Sequence, residues 1–161
     1  MRSESSFDGF WLRERDPIRR ALTFTLGDAE LAADCVDEAM VRAFVRWHRV
    51  GHLEDPAGWV FHVAMNVARS ALRKRRLRPT FDPADPGIEA RAPSTDLPVP
   101  AVELWEAVAA LPIQQRAVVV LRFYLDWPLE RIAGAVKAPV GTVKSRLHRA
   151  LHALEHLEVA T

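Results

Sequence analysis

Val140-Gly141-Thr142-Val143-Lys144-Ser145-Arg146-Leu147-His148-Arg149-Ala150 decides how this chain is read. It follows the short run Leu129-Glu130-Arg131-Ile132-Ala133 across a compact turn, Lys137-Ala138-Pro139. Two short helices at a sharp turn form a helix-turn-helix, a unit whose second helix can enter a DNA groove. In that second helix Val143, Leu147, Leu151 and Leu154 recur at spacings of three and four, the stripe expected to face the core. The opposite face carries Lys144, Ser145, His148, Arg149 and His152, with Arg146 at its flank. Lysine and arginine can grip phosphates or donate to guanine edges, and serine can donate or accept. Thr142, near the helix start, can cap it. The bland alternative is a solvated basic face on an ordinary amphipathic helix; the preceding helix and tight turn favour the groove reader.

Helical periodicity extends over nearly the whole chain, and strand signals are almost absent. A first helical zone is expected from about Phe7 to Leu26, with a break near Pro17, closed by Gly27-Asp28. A second, Asp28 to Trp47, places Leu31, Cys35, Val36, Met40, Phe44 and Trp47 at helical spacings. Arg49 to Glu54 reads as a loop. Asp55-Pro56 is a start signal, a capping carboxylate before a proline suited to the first helical position. The third helix then runs to about Arg78, with Trp59, Val60, Val63, Val67, Ala71 and Leu72 as its buried stripe. Its end is crowded with cations: Arg69, Arg73, Lys74, Arg75, Arg76 and Arg78. The macrodipole favours one or two cations there, not six within ten residues. From Pro79 to Pro100 the chain turns proline-rich and acidic, which predicts an extended linker. Helices resume over Ala101 to Ala110 and Pro112 to Leu125, with Ala117, Val118, Val120, Leu121 and Tyr124 as core. Pro128 opens a short helix, and the last runs from Val140 to about Leu157. The expected fold is all-α: two small helical domains, 1–78 and 101–161, joined by a flexible linker, 79–100, the second domain a helix-turn-helix.

Composition narrows the function classes. Of 161 residues, 49% are hydrophobic, enough for real cores. Twenty-two basic against 21 acidic residues leave a net charge of +1, so any nucleic-acid affinity must come from local clustering. The single cysteine, Cys35, excludes an internal disulfide and fits a reducing compartment. It sits in an apolar stripe and reads as a buried structural thiol. No apolar run has the length of a membrane span, and the N-terminus lacks a signal-peptide core, so a cytoplasmic protein without membrane insertion is expected. His148, His152 and His156 lie four apart on one helix, a spacing that can hold zinc. No second group of ligands lies near them in sequence, so no metal is expected. The chain has no glycine-rich phosphate loop, H-E-x-x-H or G-x-S-x-G, and neither enzymatic activity nor a cofactor is expected.

These residues resemble the extracytoplasmic-function sigma factors of bacterial RNA polymerase. Val140 to Ala150 matches that family's most typical stretch almost letter for letter. Leu111-Pro112-Ile113-Gln114-Gln115-Arg116-Ala117-Val118 is similar to the opening of its second conserved domain. Asp34 to Phe44 resembles its polymerase-docking helix, and Trp59 to Ala68 the segment that holds the melted promoter strand. The resemblance implies binding to core RNA polymerase, recognition of −35 and −10 promoter elements, and strand opening. It places Lys144, Ser145, His148 and Arg149 on the bases of the −35 element, with Arg116, Thr142 and Arg146 on phosphates. Asn66 and the loop Arg49 to Asp55 would receive a base flipped from the −10 element, with Trp59 lining the pocket or packing as core. Arg69, Arg73, Lys74, Arg75 and Arg76 would track the promoter backbone. Asp37, Glu38, Val41 and Arg42 would face the polymerase. The implied partners are core polymerase, promoter DNA and an anti-sigma factor.

The chain departs from that pattern at several points. Lys137 stands where the family usually has glycine in the turn; positive φ there would cost on the order of 1 kcal/mol. Pro128 replaces a serine-type cap, preserving the helix start without the capping bond. Met65 bears on which −10 sequence is preferred. Trp105 and Trp127 read as core or interdomain packing. The rival reading is a stand-alone helix-turn-helix regulator whose first domain senses a signal or dimerises; such a domain has no need of Asn66 beside a basic helix end.

Overall fold

The computed structural model describes residues 2–77 and 102–159, with side chains from 7 to 76 and from 103 to 155. The expected linker, 79–100, lies outside the described residues, as do Arg78 and the side chain of His156. Every described element is helical: α1 (Arg2–Leu26), α2 (Ala29–Val45), α3 (Trp47–Val50), α4 (Pro56–Leu77), α5 (Val102–Ala109), α6 (Ile113–Val119), α7 (Leu129–Val136) and α8 (Val140–Val159). A π-helical turn, Val120–Tyr124, continues α6.

α1 runs through Pro17 without the expected break. Proline inside a helix removes one backbone bond and crowds the preceding turn, at about 3 kcal/mol. Phe10 on one side, and Ile18, Ala21 and Leu22 on the other, are buried, and this tertiary packing carries the helix across. Gly27 ends it at φ 72, donating its N–H to Thr23 O at 2.7 Å, a left-handed stop that glycine takes without strain. The next residue starts α2: the Asp28 carboxylate accepts from Leu31 N at 3.1 Å.

α2 buries Leu31, Ala32, Cys35, Val36, Ala39, Met40 and Ala43 against α1 and α4. Phe44, expected in that stripe, is 51% exposed, although its ring edge meets Phe7 at 5.1 Å. Phe7, Phe10 and Trp47 complete that aromatic cluster. The segment expected to loop from Arg49 stays helical through Val50 and opens only at Gly51. α4 begins as the sequence indicates, with Asp55 Oδ1 accepting from Gly58 N at 3.2 Å.

The two halves share one continuous hydrophobic core, because α1 packs on α5, α6 and the π turn while α4 packs on α7. α4 therefore buries a broader face than expected. Val60, Phe61, Ala64, Met65 and Ala68 are buried, whereas Trp59, Val63, Val67, Ala71 and Leu72 are partly buried. Phe24 of α1 stacks on Trp105 at 4.1 Å and 10°, and Phe61 of α4 meets Trp127 edge-on at 6.5 Å. Trp105 and Trp127 are thus interdomain residues.

Candidate nucleic-acid interface

The helix-turn-helix forms with an atypical turn. α7 starts behind Pro128, which offers no side-chain cap. It ends at Lys137, which takes the left-handed conformation (φ 55, ψ 48) that the family's glycine would adopt freely. Lys137 and Ala138 both donate backbone N–H groups to Ala133 O, satisfying the helix end. Pro139 then stops the turn, and its carbonyl accepts from Thr142 N and Val143 N to open α8. Thr142 therefore lies inside the first turn rather than at the cap.

α8 turns Val143, Leu147, Ala150 and Leu154 toward the core, with Val143 and Ala150 fully buried. Leu151, expected in that stripe, is 39% exposed; the smaller Ala150 takes the inward position and allows close approach. Lys144, Ser145, His148 and Arg149 are all exposed on the outer face, and Thr142 and Arg146 are half-buried at its edges. The Ser145 hydroxyl bonds back to Gly141 O and Thr142 O, each at 3.1 Å, which holds it at the surface.

α4 carries the second surface. Asn66, Arg69, Arg73, Lys74, Arg75 and Arg76 are exposed along one helix, and Trp59 is half-buried near its start. Arg75 lies 3.6 Å from Asp28, so one of these cations is partly neutralised by the cap of α2. Asn66 Nδ2 lies 3.2 Å from His62 Nε2. Burial holds the His62 imidazole below the usual 6.5, reinforced by the Lys137 and Arg69 cations and opposed by a hydrogen bond with the Ala135 backbone. A neutral ring accepts at Nε2, so His62 joins Asn66 of the first half to the backbone of α7.

Arg116 corrects the sequence reading. It is 7% exposed, not a surface residue, and its guanidinium donates to Thr25 O at 2.7 Å and Leu111 O at 2.9 Å. In this arrangement it fastens α6 to the end of α1 and cannot reach a phosphate. A sequence signal existed: Arg116 leads directly into Ala117-Val118-Val119-Val120-Leu121, all buried. Asp55 is a second functional side chain that sequence reasoning treated only as a cap and loop end. Its carboxylate accepts from Arg131 Nε and Nη2 across the domain join.

On α2, Asp37, Glu38, Val41 and Arg42 are exposed. Arg42 pairs with Glu38 at 2.7 Å and Asp37 with Arg15 at 3.0 Å. Val41 is 61% exposed beside the exposed Phe44 and Val45, an apolar strip edged by carboxylates. Cys35 is buried and its thiol is pushed up to about 11, first by burial, then by Glu38 and Asp34. That makes it an inert packing residue.

A helix-turn-helix with an exposed basic reading face, packed on a basic, asparagine-bearing helical domain, defines a class of two-domain DNA-recognition protein. The family model described as sigma-70 region 2 matches residues 10–78, and that for sigma-70 region 4 matches residues 101–154. The chain is 34% identical over 140 residues to the ECF RNA polymerase sigma factor SigL of Mycobacterium tuberculosis, covering 84% of this chain and 78% of SigL. It is 31% identical over 138 residues to RNA polymerase sigma factor SigV of Bacillus subtilis, covering 86% of this chain and 81% of SigV. The fold matches the sigma factor RpoE of Bartonella quintana, solved in complex with the anti-sigma factor NepR, with TM-score 0.72 and 22% identity over 94% of this chain and 95% of that one. The chain belongs to the extracytoplasmic-function sigma factors.

Proposed function

We propose that this chain delivers core RNA polymerase to promoters by gripping two DNA elements, one with each half. The second half, 101–161, reads the −35 element through Lys144, Ser145, His148 and Arg149, with Thr142 and Arg146 on flanking phosphates. The first half, 1–78, engages the −10 element: Asn66 receives a flipped base, Trp59 borders that position, and Arg69, Arg73, Lys74, Arg75 and Arg76 follow the backbone. Asp37, Glu38, Val41 and Arg42 face the polymerase, and segment 79–100 spans the halves. The polymerase performs the chemistry and this chain is no enzyme. An anti-sigma factor is a further partner. The observation that carries the reading is the exposure of both polar surfaces, on α8 and α4, within one chain whose two halves match sigma-70 regions 4 and 2.

The test is co-purification with core polymerase, followed by promoter-directed transcription. A complex that initiates at discrete promoters is expected. Failure to bind polymerase, with tight duplex binding as a dimer, would establish the stand-alone regulator instead.

A further inference from the structure

Where α4 meets α6, α7 and α8, a narrow cleft is lined by Phe61, His62, Met65, Arg69, Gln114 and Arg146, together with small apolar residues of α6 and α7. Its lining mixes apolar side chains with polar groups that are cationic or neutral, and no carboxylate lines it. Arg69 comes from the first half and Arg146 from the second. Among the described residues neither forms an ion pair, so no carboxylate among them neutralises either guanidinium. Lys137 adds a further positive field at His62. Arg69 is exposed and Arg146 half-buried, so water screens their mutual repulsion only in part across the one cleft that both line. An anion between them turns the repulsion into a bridge.

We propose that this interdomain cleft binds a small phosphate-class oxyanion, such as the terminal phosphate of a phosphorylated metabolite, between Arg69 and Arg146. Guanidinium forks match tetrahedral oxyanions with paired, charge-assisted hydrogen bonds, and Gln114 supplies a neutral donor at the rim. Bound there, the anion joins the two halves and occupies two arginines that the proposed promoter grip uses. It therefore holds the closed arrangement and competes with DNA. The inference rests on the closed packing of the two halves, not on the polymerase role.

The test uses the full chain and inorganic pyrophosphate, titrated calorimetrically at constant ionic strength against chloride. Saturable binding is expected, weakened roughly tenfold by Arg69→Gln or by Arg146→Gln. Arg20→Gln, an exposed cation of α1 outside the cleft, should bind as the parent does. The decisive variant is Asp55→Asn, which keeps both arginines and loses the carboxylate that Arg131 holds across the join. General electrostatics would make this more positive chain bind pyrophosphate more tightly; a site assembled from both halves must bind it more weakly. Absence of saturable binding, or unchanged or tighter binding by Asp55→Asn, overturns the proposal. Circular dichroism of each variant confirms folding, and the two arginine variants report independently if one is unstable. No polymerase or promoter enters the assay, so failure here leaves the initiation-factor reading untouched.

Discussion

Arg131 of α7 forks onto the carboxylate of Asp55, with Nε 2.9 Å from Oδ2 and Nη2 3.1 Å from Oδ1. The same guanidinium lies 3.9 Å from the centre of the Trp127 ring. The same carboxylate caps α4 through Gly58. One acidic side chain thus both starts the helix that bears Asn66 and ties it to the first helix of the helix-turn-helix. The loop ending at Asp55 is part of the expected −10 site, so the closed arrangement restrains that site through the reading domain.

Loss of this fork should open the join without unfolding either half. Asp55→Asn preserves a capping oxygen for α4, and Arg131→Gln preserves length. Both partners are about one-third exposed, so solvent screening limits the expected stability loss to about 1 kcal/mol. The larger change should be in shape, read as an increased radius of gyration by small-angle scattering. Arg131→Lys should not restore the closed form, because an ammonium cannot make the paired bonds. Gly58→Ala should act in the same direction, since a Cβ there would stand 2.6 Å from Asp55 Oδ2. Unchanged dimensions in all of these variants would show that the fork does not hold the halves together.

Arg116 should behave as a structural residue. Arg116→Ala strips donors from the carbonyls of Thr25 and Leu111 in a buried join, which should cost about 2–4 kcal/mol in urea denaturation. Arg149→Ala, at an exposed position on α8, should cost less than about 0.5 kcal/mol. Equal stability of the two variants would contradict the burial of Arg116.

His62 gives the closed form a pH dependence with a defined sign. Its folded value lies below 6.5, so at mildly acidic pH the unfolded or open chain binds more protons than the closed one. The stability of the closed form is complete above about 6.5 and falls as the pH drops below it. The groups facing the ring are Arg69 and Asn66 on its own helix, Lys137 and Ala135 from α7, and the cleft residues Arg146 and Gln114. None of them is a carboxylate that could compensate an imidazolium. The melting temperature should therefore fall more steeply between about pH 7 and 5.5 for the parent than for His62→Gln. Parallel curves would remove His62 from this role.

The two proposed DNA surfaces should separate functionally. Arg149→Ala should reduce promoter-specific transcription by about tenfold or more while leaving polymerase binding intact, since a base-edge contact contributes about 1–3 kcal/mol of discrimination. Asn66→Ala should impair strand opening, read by permanganate reactivity of unpaired thymines, more than it impairs −35 binding. Equal loss of both steps in either variant would contradict the division of labour.

The sequence made the helices and the reading face of α8 legible because spacings of three and four survive on a helix with one buried side. A single-face pattern is lost where a helix touches two partners. Phe61 and Met65 fell outside the expected stripe of α4 because that stripe assumed a single packing face, and α7 occupies another. Leu151 continues the leucine spacing of α8, although close approach of that helix to the core buries the smaller Ala150 instead. Pro17 gave a local stop signal that long-range packing overrides. The family resemblance places Arg116 on a phosphate, yet the unbroken apolar run after it marks a segment buried all round. The Asp55–Arg131 fork joins residues 76 positions apart and left no trace in local pattern. Lys137 is the opposite case: the family's usual glycine flagged a left-handed turn, and the turn is left-handed.

One chain that grips two promoter elements on behalf of core polymerase must set where transcription starts. Transcription in vitro with purified core polymerase over a genomic promoter library tests it most directly. Discrete start sites that share two upstream motifs at fixed spacing are expected, with recognition of the farther motif impaired by Arg149→Ala and opening at the nearer one by Asn66→Ala. Start sites no different from those of core polymerase alone, or a single palindromic motif bound by a dimer without polymerase, would contradict it.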